Sequence, residues 1–274
     1  MKSKLLATVG LLMITVLLAT SQVSAITNVV TPEFVDHQGE AASFDPAYVE
    51  FSTEETILGA HSVKMSIPEG AIPADRWGLG LNVETRLATG MSRIRGLALY
   101  SDIFFKVYFE VPEFDPDPMN HAPLYVSLIL YDKTNDVWVS MIPTTTLYDA
   151  WGGARMSFST LENGWWIATP VEGSNALWTA WRFDGTPWCP VGTFPWGSPI
   201  PRILTLSEWD TYIANSGLNV MVRKVNIQFG YRPSIVHQDW DGDGIPEEHY
   251  AGVDWGTVYV DELSFAGRTL DFEP

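Results

Sequence analysis

Short runs of apolar or alternating residues, separated by turns rich in glycine and proline, constrain the fold of this chain more than any other feature. Residues 256–265 (GTVYVDELSF) alternate with a period of two, as expected for a strand with one buried face. Comparable strand patterns extend from about residue 26 to 142 and again from 218 to 272. We therefore predict an all-β sandwich formed by antiparallel sheets.

Two neighbouring runs have the composition of central strands. Residues 124–131 (LYVSLILY) and 137–142 (VWVSMI) are almost wholly apolar, and the turn DKTND between them predicts a hairpin. Strands in the middle of a sandwich core have this composition. We interpret both runs as core strands rather than as parts of a functional site.

One segment carries a helix signal. Thr205 and Glu208 have the spacing of a capping box, and Gly217 can end a helix in the left-handed conformation. The sequence therefore predicts one short helix near residues 206–216.

Tryptophan is concentrated in residues 151–209, which hold eight of the twelve tryptophans among many Gly, Pro, Ser and Thr residues. We predict a long loop insertion here, in which exposed rings bind sugars through the apolar face of a pyranose. The predicted ligand-binding residues are six aromatic platforms with two polar partners: Trp165, Trp166, Trp178, Trp181, Trp188, Trp196, Arg182 and Asp184. The alternative interpretation is a structural cluster that pins the loop to the sandwich.

An acidic loop at residues 239–247 (DWDGDGIPE) predicts a calcium site. Carboxylates at every second position can converge on one ion, and Gly244 allows the sharp turn around it. Position twelve of an EF-hand requires Glu, whereas this chain has Tyr250. The loop instead resembles the freestanding D-x-D-G-D-G-I-P-[DE] calcium loops of secreted prokaryotic proteins. Its predicted ligands are Asp239, Asp241, Asp243, the Ile245 carbonyl and Glu247.

Two strand motifs resemble those of jelly-roll carbohydrate-binding modules. The string VYVDELSF, at residues 258–265, is similar to the last strand of these modules, and residues 59–67 (GAHSVKMSI) are similar to an early strand of pattern G-x-x-S-x-K-[ML]. The resemblance implies a jelly-roll sandwich. It also implies that Asp261 helps to hold a structural calcium ion near the N-terminal strand.

The N-terminus predicts export. Lys2 and Lys4 precede a short apolar run, and residues 23–25 (VSA) fit a cleavage site, so residues 1–25 have the pattern of a signal peptide. Residues 26–274 then form a single secreted domain with no membrane span. Cys189 is the sole cysteine and allows no internal disulfide. The net charge of −17 disfavours nucleic acid as a partner.

Catalytic signals are weak. Glu84, Glu110 and Glu208 are the carboxylates least typical of turns, but none belongs to a paired motif of the kind that glycosidases require. We therefore favour binding over catalysis.

The sequence as a whole predicts a secreted, calcium-stabilised protein that recognises a polysaccharide through aromatic platforms. Two alternatives stay open. One is a glycoside hydrolase or polysaccharide lyase on the same fold. The other is an extracellular filament or surface-layer subunit that self-assembles by donating an N-terminal segment at residues 26–34.

Overall fold

A computed structural model of the chain describes residues 26–30, 35–37, 49–68, 79–84, 96–110, 124–145, 156–229, 234–238, 247–251 and 256–273. The strands are β1 (Ile26–Val30), β2 (Val35–His37), β3 (Val49–Ser52), β4 (Ser62–Ile67), β5 (Leu79–Glu84), β6 (Phe104–Glu110), β7 (Leu124–Asp132), β8 (Val137–Thr144), β9 (Met156–Thr160), β10 (Trp165–Pro170), β11 (Leu177–Arg182), β12 (Gly192–Thr193), β13 (Pro199–Ile200), β14 (Ile203–Thr205), β15 (Val220–Phe229), β16 (Ser234–Gln238), β17 (Glu247–Ala251), β18 (Gly256–Phe265) and β19 (Arg268–Phe272). The α-helix α1 spans Leu206–Asn215, and 3-10 helices span Leu97–Tyr100, Glu162–Gly164 and Gly173–Asn175.

Most of these strands belong to two packed sheets. The first sheet has the order β1-β19-β18-β6-β10-β9, with β4 also paired to β18 and β3 to β4. The second sheet has the order β14-β11-β8-β7-β15-β5-β2. The prediction of an all-β sandwich with one short α-helix is confirmed.

The core lies between the sheets. Phe105 and Val107 of β6 and Leu128 and Leu130 of β7 are fully buried. They occupy alternate positions, so each strand turns one face inward and the other outward. Burial of this apolar area supplies the main driving force for folding.

The tryptophan-rich segment is more regular than the sequence indicated. Where we predicted a long loop, β9, β10 and β11 add strands to the two sheets. The loop assignment is therefore corrected for residues 156–182, because these residues pair with established strands: β10 with β6 and β11 with β8.

Three tryptophans form a buried cluster at the edge of the core. Trp178, Trp188 and Trp209 are at most 1% exposed, and the rings of Trp188 and Trp209 stack with centroids 5.5 Å apart. Trp188 Nε1 donates to Asp132 Oδ2 at 3.1 Å, and Trp209 Nε1 donates to the Trp178 carbonyl at 3.0 Å. The cluster, which we call the plug, is structural: its rings are buried, and the indole N–H groups of Trp188 and Trp209 are hydrogen-bonded.

Helix α1 holds one of these rings in place. Thr205 Oγ1 accepts from the backbone N–H of Glu208, whose carboxylate accepts from the backbone N–H of Thr205 in return. Gly217 follows the helix with a φ of 67°. The capping box predicted from the sequence is thus confirmed, and it orients α1 so that Trp209 faces the core.

We expect Trp209→Ala to lower the free energy of unfolding by about 3–5 kcal/mol, because it leaves a cavity in the plug. Trp196→Ala is the matched control, since its ring is 72% exposed, and we expect a change within about 0.5 kcal/mol. Urea denaturation followed by circular dichroism measures both. Equal losses for the two variants would contradict the assignment of the plug.

Candidate functional site

The outward face of the second sheet presents an unusual set of side chains at one end. Leu130 of β7 and Val139 of β8 are opposite each other and fully buried. Their neighbours Tyr131 and Trp138 are also opposite each other. Because successive side chains of a strand alternate between faces, Tyr131 and Trp138 point outward.

These two residues and Phe183 form a row of rings, which we call the aromatic row. The centroids of Tyr131 and Trp138 are 5.1 Å apart, and those of Trp138 and Phe183 are 6.5 Å apart. Trp138 is 41% exposed and Phe183 is 65% exposed. Within the described part of the chain, the row is an accessible apolar strip that crosses β7, β8 and the end of β11.

Polar groups lie beside the aromatic row. The Tyr131 hydroxyl donates to the Asp136 carboxylate, and this hydrogen bond raises the pKa of Tyr131 above its usual value. The guanidinium carbon of Arg223 lies 6.0 Å from the centroid of the Trp138 ring. The row therefore combines ring faces with a cation and a carboxylate.

A polar strip continues along the same face, away from the row. Ser127 Oγ donates to Asn226 Oδ1 at 3.1 Å, and the Tyr125 hydroxyl donates to Gln228 Oε1 at 2.6 Å. Ser127, Asn226 and Gln228 are buried. Within the described residues, these three side chains are closed to solvent, whereas the end of the face that carries the aromatic row is accessible.

The six tryptophans predicted to be sugar-binding platforms differ in their burial. Trp178 and Trp188 belong to the plug, and Trp165 is 3% exposed, with its ring 5.9 Å from that of Tyr108. Buried rings cannot present a face to a sugar, so Trp165, Trp178 and Trp188 are corrected from platforms to structural groups. Trp166 is half-buried, and its ring contributes to the packing of the core.

Trp181 and Trp196 remain candidates. Trp181 is opposite Ser140 of β8 and is half-buried, on the same outward face as the aromatic row. Trp196 lies in the turn of the β12–β13 hairpin, where its ring stacks on Phe194 with a centroid distance of 4.4 Å and an interplanar angle of 7°. Trp196 is more accessible than Trp181, but it lies on the β12–β13 hairpin and not on the strands that carry the aromatic row.

The predicted polar partners lie at the end of β11. Arg182 is the last residue of the strand, and its backbone N–H donates to the Thr186 carbonyl. Asp184 accepts from the backbone N–H of Thr186 at 2.9 Å and from its hydroxyl at 2.6 Å, and these hydrogen bonds lower the pKa of Asp184. Asp184 therefore stabilises the turn that displays Phe183.

Sequence reasoning missed the aromatic row because it treated residues 124–131 and 137–142 as core strands alone. The turn at residues 133–136 contained the missing signal. Residues equidistant from a tight turn are opposite each other, so Tyr131 and Trp138 had to share a face. Phe183 and Arg223 come from distant segments and carry no such signal.

Most of the predicted calcium loop lies outside the described residues, namely Asp239, Asp241, Asp243 and Ile245. Glu247 begins β17, which pairs with β16 in a separate two-stranded sheet, and Gln238 is opposite Glu247. The pairing brings the two ends of the acidic loop together, as a closed ion-binding loop requires. Among the described residues, no group of three or more His, Cys, Asp or Glu side chains is placed to hold a metal.

Asp261 is described, and its carboxylate is occupied by backbone donors. Its Oδ2 accepts from the N–H groups of Ile57 at 3.0 Å and Leu58 at 2.9 Å, and its Oδ1 accepts from that of Glu262 at 2.7 Å. Burial nevertheless raises the pKa of Asp261 to about 6. In this arrangement Asp261 fastens the loop before β4 to the last long strand.

The candidate catalytic carboxylates lie on three different elements. Glu84 ends β5 in the second sheet, Glu110 ends β6 in the first sheet, and Glu208 lies in the first turn of α1. The Thr205 backbone N–H and hydroxyl contact Glu208 and lower its pKa, which suits a capping carboxylate rather than a general acid.

Comparison of the chain with protein-family models, curated proteins and solved structures finds no match in any of the three. Within the described ranges, no helix is long and apolar enough to cross a membrane.

Asp261 gives a prediction for the pH dependence of stability. Its folded-state pKa of about 6 lies above the ordinary 3.8, so its ionisation opposes folding. The favourable contribution is complete below pH 3.8 and is lost as the pH rises through about 6. Relative to Asp261→Asn, we expect the wild-type free energy of unfolding to fall by on the order of 2–3 kcal/mol between pH 4 and 7.

Urea denaturation at each pH measures this difference. Asp184→Asn is the control, because Asp184 is exposed and its pKa is shifted downward. Parallel stability curves for the wild type and Asp261→Asn would refute the prediction.

Proposed function

We propose that the chain is a secreted carbohydrate-binding protein, stabilised by calcium, which recognises an extracellular polysaccharide through the aromatic row. The observation that carries the proposal is the accessible Trp138 ring, which lies between Tyr131 and Phe183 on the outward face of the second sheet. This position replaces most of the platforms expected from the sequence. The role is recognition rather than catalysis.

The geometry of the row suits a sugar chain. The C–H face of a pyranose packs on an aromatic ring, while polar neighbours bond its hydroxyl groups. The row supplies three rings at centroid spacings of 5.1 and 6.5 Å. Asp136 and Arg223, which lie beside the row, supply an acceptor and a donor for hydroxyl groups.

The calcium part of the proposal depends on the acidic loop. Three aspartates at alternate positions provide hard oxygen ligands of the kind that Ca²⁺ prefers. The pairing of Gln238 with Glu247 at the base of the loop supports this assignment. We expect calcium bound by this loop to stabilise the folded protein. We assign it no part in a catalytic reaction.

Self-assembly is the second candidate function, and one observation favours it. Strand β1 spans Ile26–Val30, within the segment expected to be donated, and it lies at the edge of the first sheet in parallel pairing with β19. An edge strand of this kind can pair with a second copy instead of its own chain. Self-assembly would be favoured if the chain forms oligomers that disappear when residues 26–30 are deleted. It would also require that the chain is not retained on any polysaccharide.

We expect Trp138→Ala to reduce retention of the mature chain on insoluble polysaccharide by about five- to thirtyfold, since ring stacking is worth on the order of 1–2 kcal/mol. Trp196→Ala is the matched control, because it also removes an exposed indole. Depletion of protein from the supernatant, over a panel of plant, algal and microbial polysaccharides, measures the effect.

If Trp138→Ala is retained as strongly as the wild type, the assignment of the row is wrong. If only Trp196→Ala loses retention, the binding site is on the β12–β13 hairpin instead. Release of new reducing ends from any polysaccharide would instead identify an enzyme.

The calcium assignment gives a separate prediction. The double variant Asp241→Ala and Asp243→Ala should lower the melting temperature in millimolar Ca²⁺ but match the wild type in excess chelator, because the ion binds only the folded state. Differential scanning calorimetry measures both conditions. A wild-type melting temperature that is the same with calcium and with chelator would eliminate the calcium site.

A further inference from the structure

A β-bulge lies beside the aromatic row and changes the charge of this face. The pairing of β15 with β7 shifts register between Val222, which is opposite Leu130, and Lys224, which is opposite Ile129. Arg223 is the extra residue. Bulges redirect side chains and are over-represented next to functional sites.

The bulge places two consecutive cations on one face. In a regular strand Arg223 and Lys224 would point to opposite faces. Here Val222 and Val225 are opposite Leu130 and Leu128, which face the core, so the two residues between them are directed away from the core. Lys224 is opposite the outward residue Ile129, and the Arg223 guanidinium lies over the Trp138 ring.

From this arrangement we propose that the aromatic row binds an anionic saccharide, one that carries a carboxylate or sulfate group, and that Arg223 is the group that selects it. The inference rests on the proposed function of the row. The inference specifies that the ligand is negatively charged. Neither the geometry of the rings nor the sequence motifs indicate a charge for the ligand.

The surrounding charges favour this selection. The chain has a net charge of −17, so a pair of cations beside exposed rings is a local exception. Among the described residues of the β7–β8 hairpin, Asp132 is buried and accepts from Thr134, Asn135 and Trp188, and Asp136 accepts from the Tyr131 hydroxyl beside the row. Glu84 is opposite Lys224 across the strands, so we assign the selection to Arg223 rather than to Lys224.

The chemistry of Arg223 fits an acidic sugar. A guanidinium presents a planar set of donors that matches a carboxylate or sulfate, and it also stacks on aromatic faces. A pyranose packed on Trp138 projects its equatorial substituents from the ring edge, toward groups at the margin of the indole. The Arg223 guanidinium lies over the Trp138 ring, with its carbon 6.0 Å from the ring centroid, and can reach a substituent of a sugar packed against the row.

The test uses polysaccharides in pairs that differ only in charge: polygalacturonate and its methyl ester, alginate and its propylene glycol ester, and dextran sulfate and dextran. Each polysaccharide is coupled to beads, and depletion of the mature chain is measured at low ionic strength for the wild type and for Arg223→Gln and Arg223→Lys. Arg268→Gln on β19 is the control for a cation of the other sheet. Melting temperatures confirm that each variant is folded.

We expect the charged member of at least one pair to be retained more strongly than its neutral partner. Arg223→Gln should weaken that retention roughly fivefold, and Arg223→Lys should weaken it by a smaller factor, because it keeps the charge but loses the planar donor set. Arg268→Gln should retain most of it. Added salt should also weaken retention of the charged polysaccharide, because it screens the attraction between Arg223 and the anionic group. If Arg223→Gln loses retention on polygalacturonate or alginate, the group recognised is a carboxylate. If it loses retention on dextran sulfate alone, the group recognised is a sulfate.

Two results would overturn the inference. Retention of neutral and charged partners to the same extent, with no effect of Arg223→Gln, would leave the row a site for neutral polysaccharide and remove the selection by charge. Failure to retain any member of any pair would reject the proposed function, and the selection by charge with it.

Discussion

The packing of the two apolar sheet faces determines what the rest of the structure can do. Once Leu130 and Val139 are buried between the sheets, the alternation of the strands directs Tyr131 and Trp138 to solvent. A slip of one residue in either strand would bury these rings and expose the core. The register that maintains the sandwich therefore also maintains the aromatic row, and a variant that disturbs one disturbs the other.

Tryptophan has two physical roles in this chain, and the environment of the indole separates them. In the plug, the indole N–H groups of Trp188 and Trp209 have acceptors within the core, namely Asp132 and the Trp178 carbonyl. A buried ring of that kind contributes to stability through area and packing. Trp138 instead lies on the solvent side of a strand, where its ring can be covered only by neighbouring side chains or by a ligand. The same residue type thus serves the core and the candidate site.

Local features were predictable from the sequence, whereas features that depend on distant strands were not. The capping box of α1 needs only Thr205 and Glu208, and the sandwich follows from the period of its strands. The aromatic row needs Phe183 and Arg223 to meet a hairpin more than 40 residues away from either. Composition also misled the reasoning: the glycine- and proline-rich surroundings of Trp178 and Trp188 indicated an exposed loop, but their rings complete the core.

Fluorine NMR of protein labelled with 5-fluorotryptophan would test the central claim, that ligand contacts the Trp138 ring, most directly. The spectrum reports all twelve indoles separately, and Trp138→Phe identifies the resonance of interest. During titration with soluble fragments of a retained polysaccharide, we predict a saturable shift of the Trp138 resonance, with those of the buried Trp178, Trp188 and Trp209 unmoved. A spectrum in which Trp138 stays fixed while another indole shifts would contradict the account.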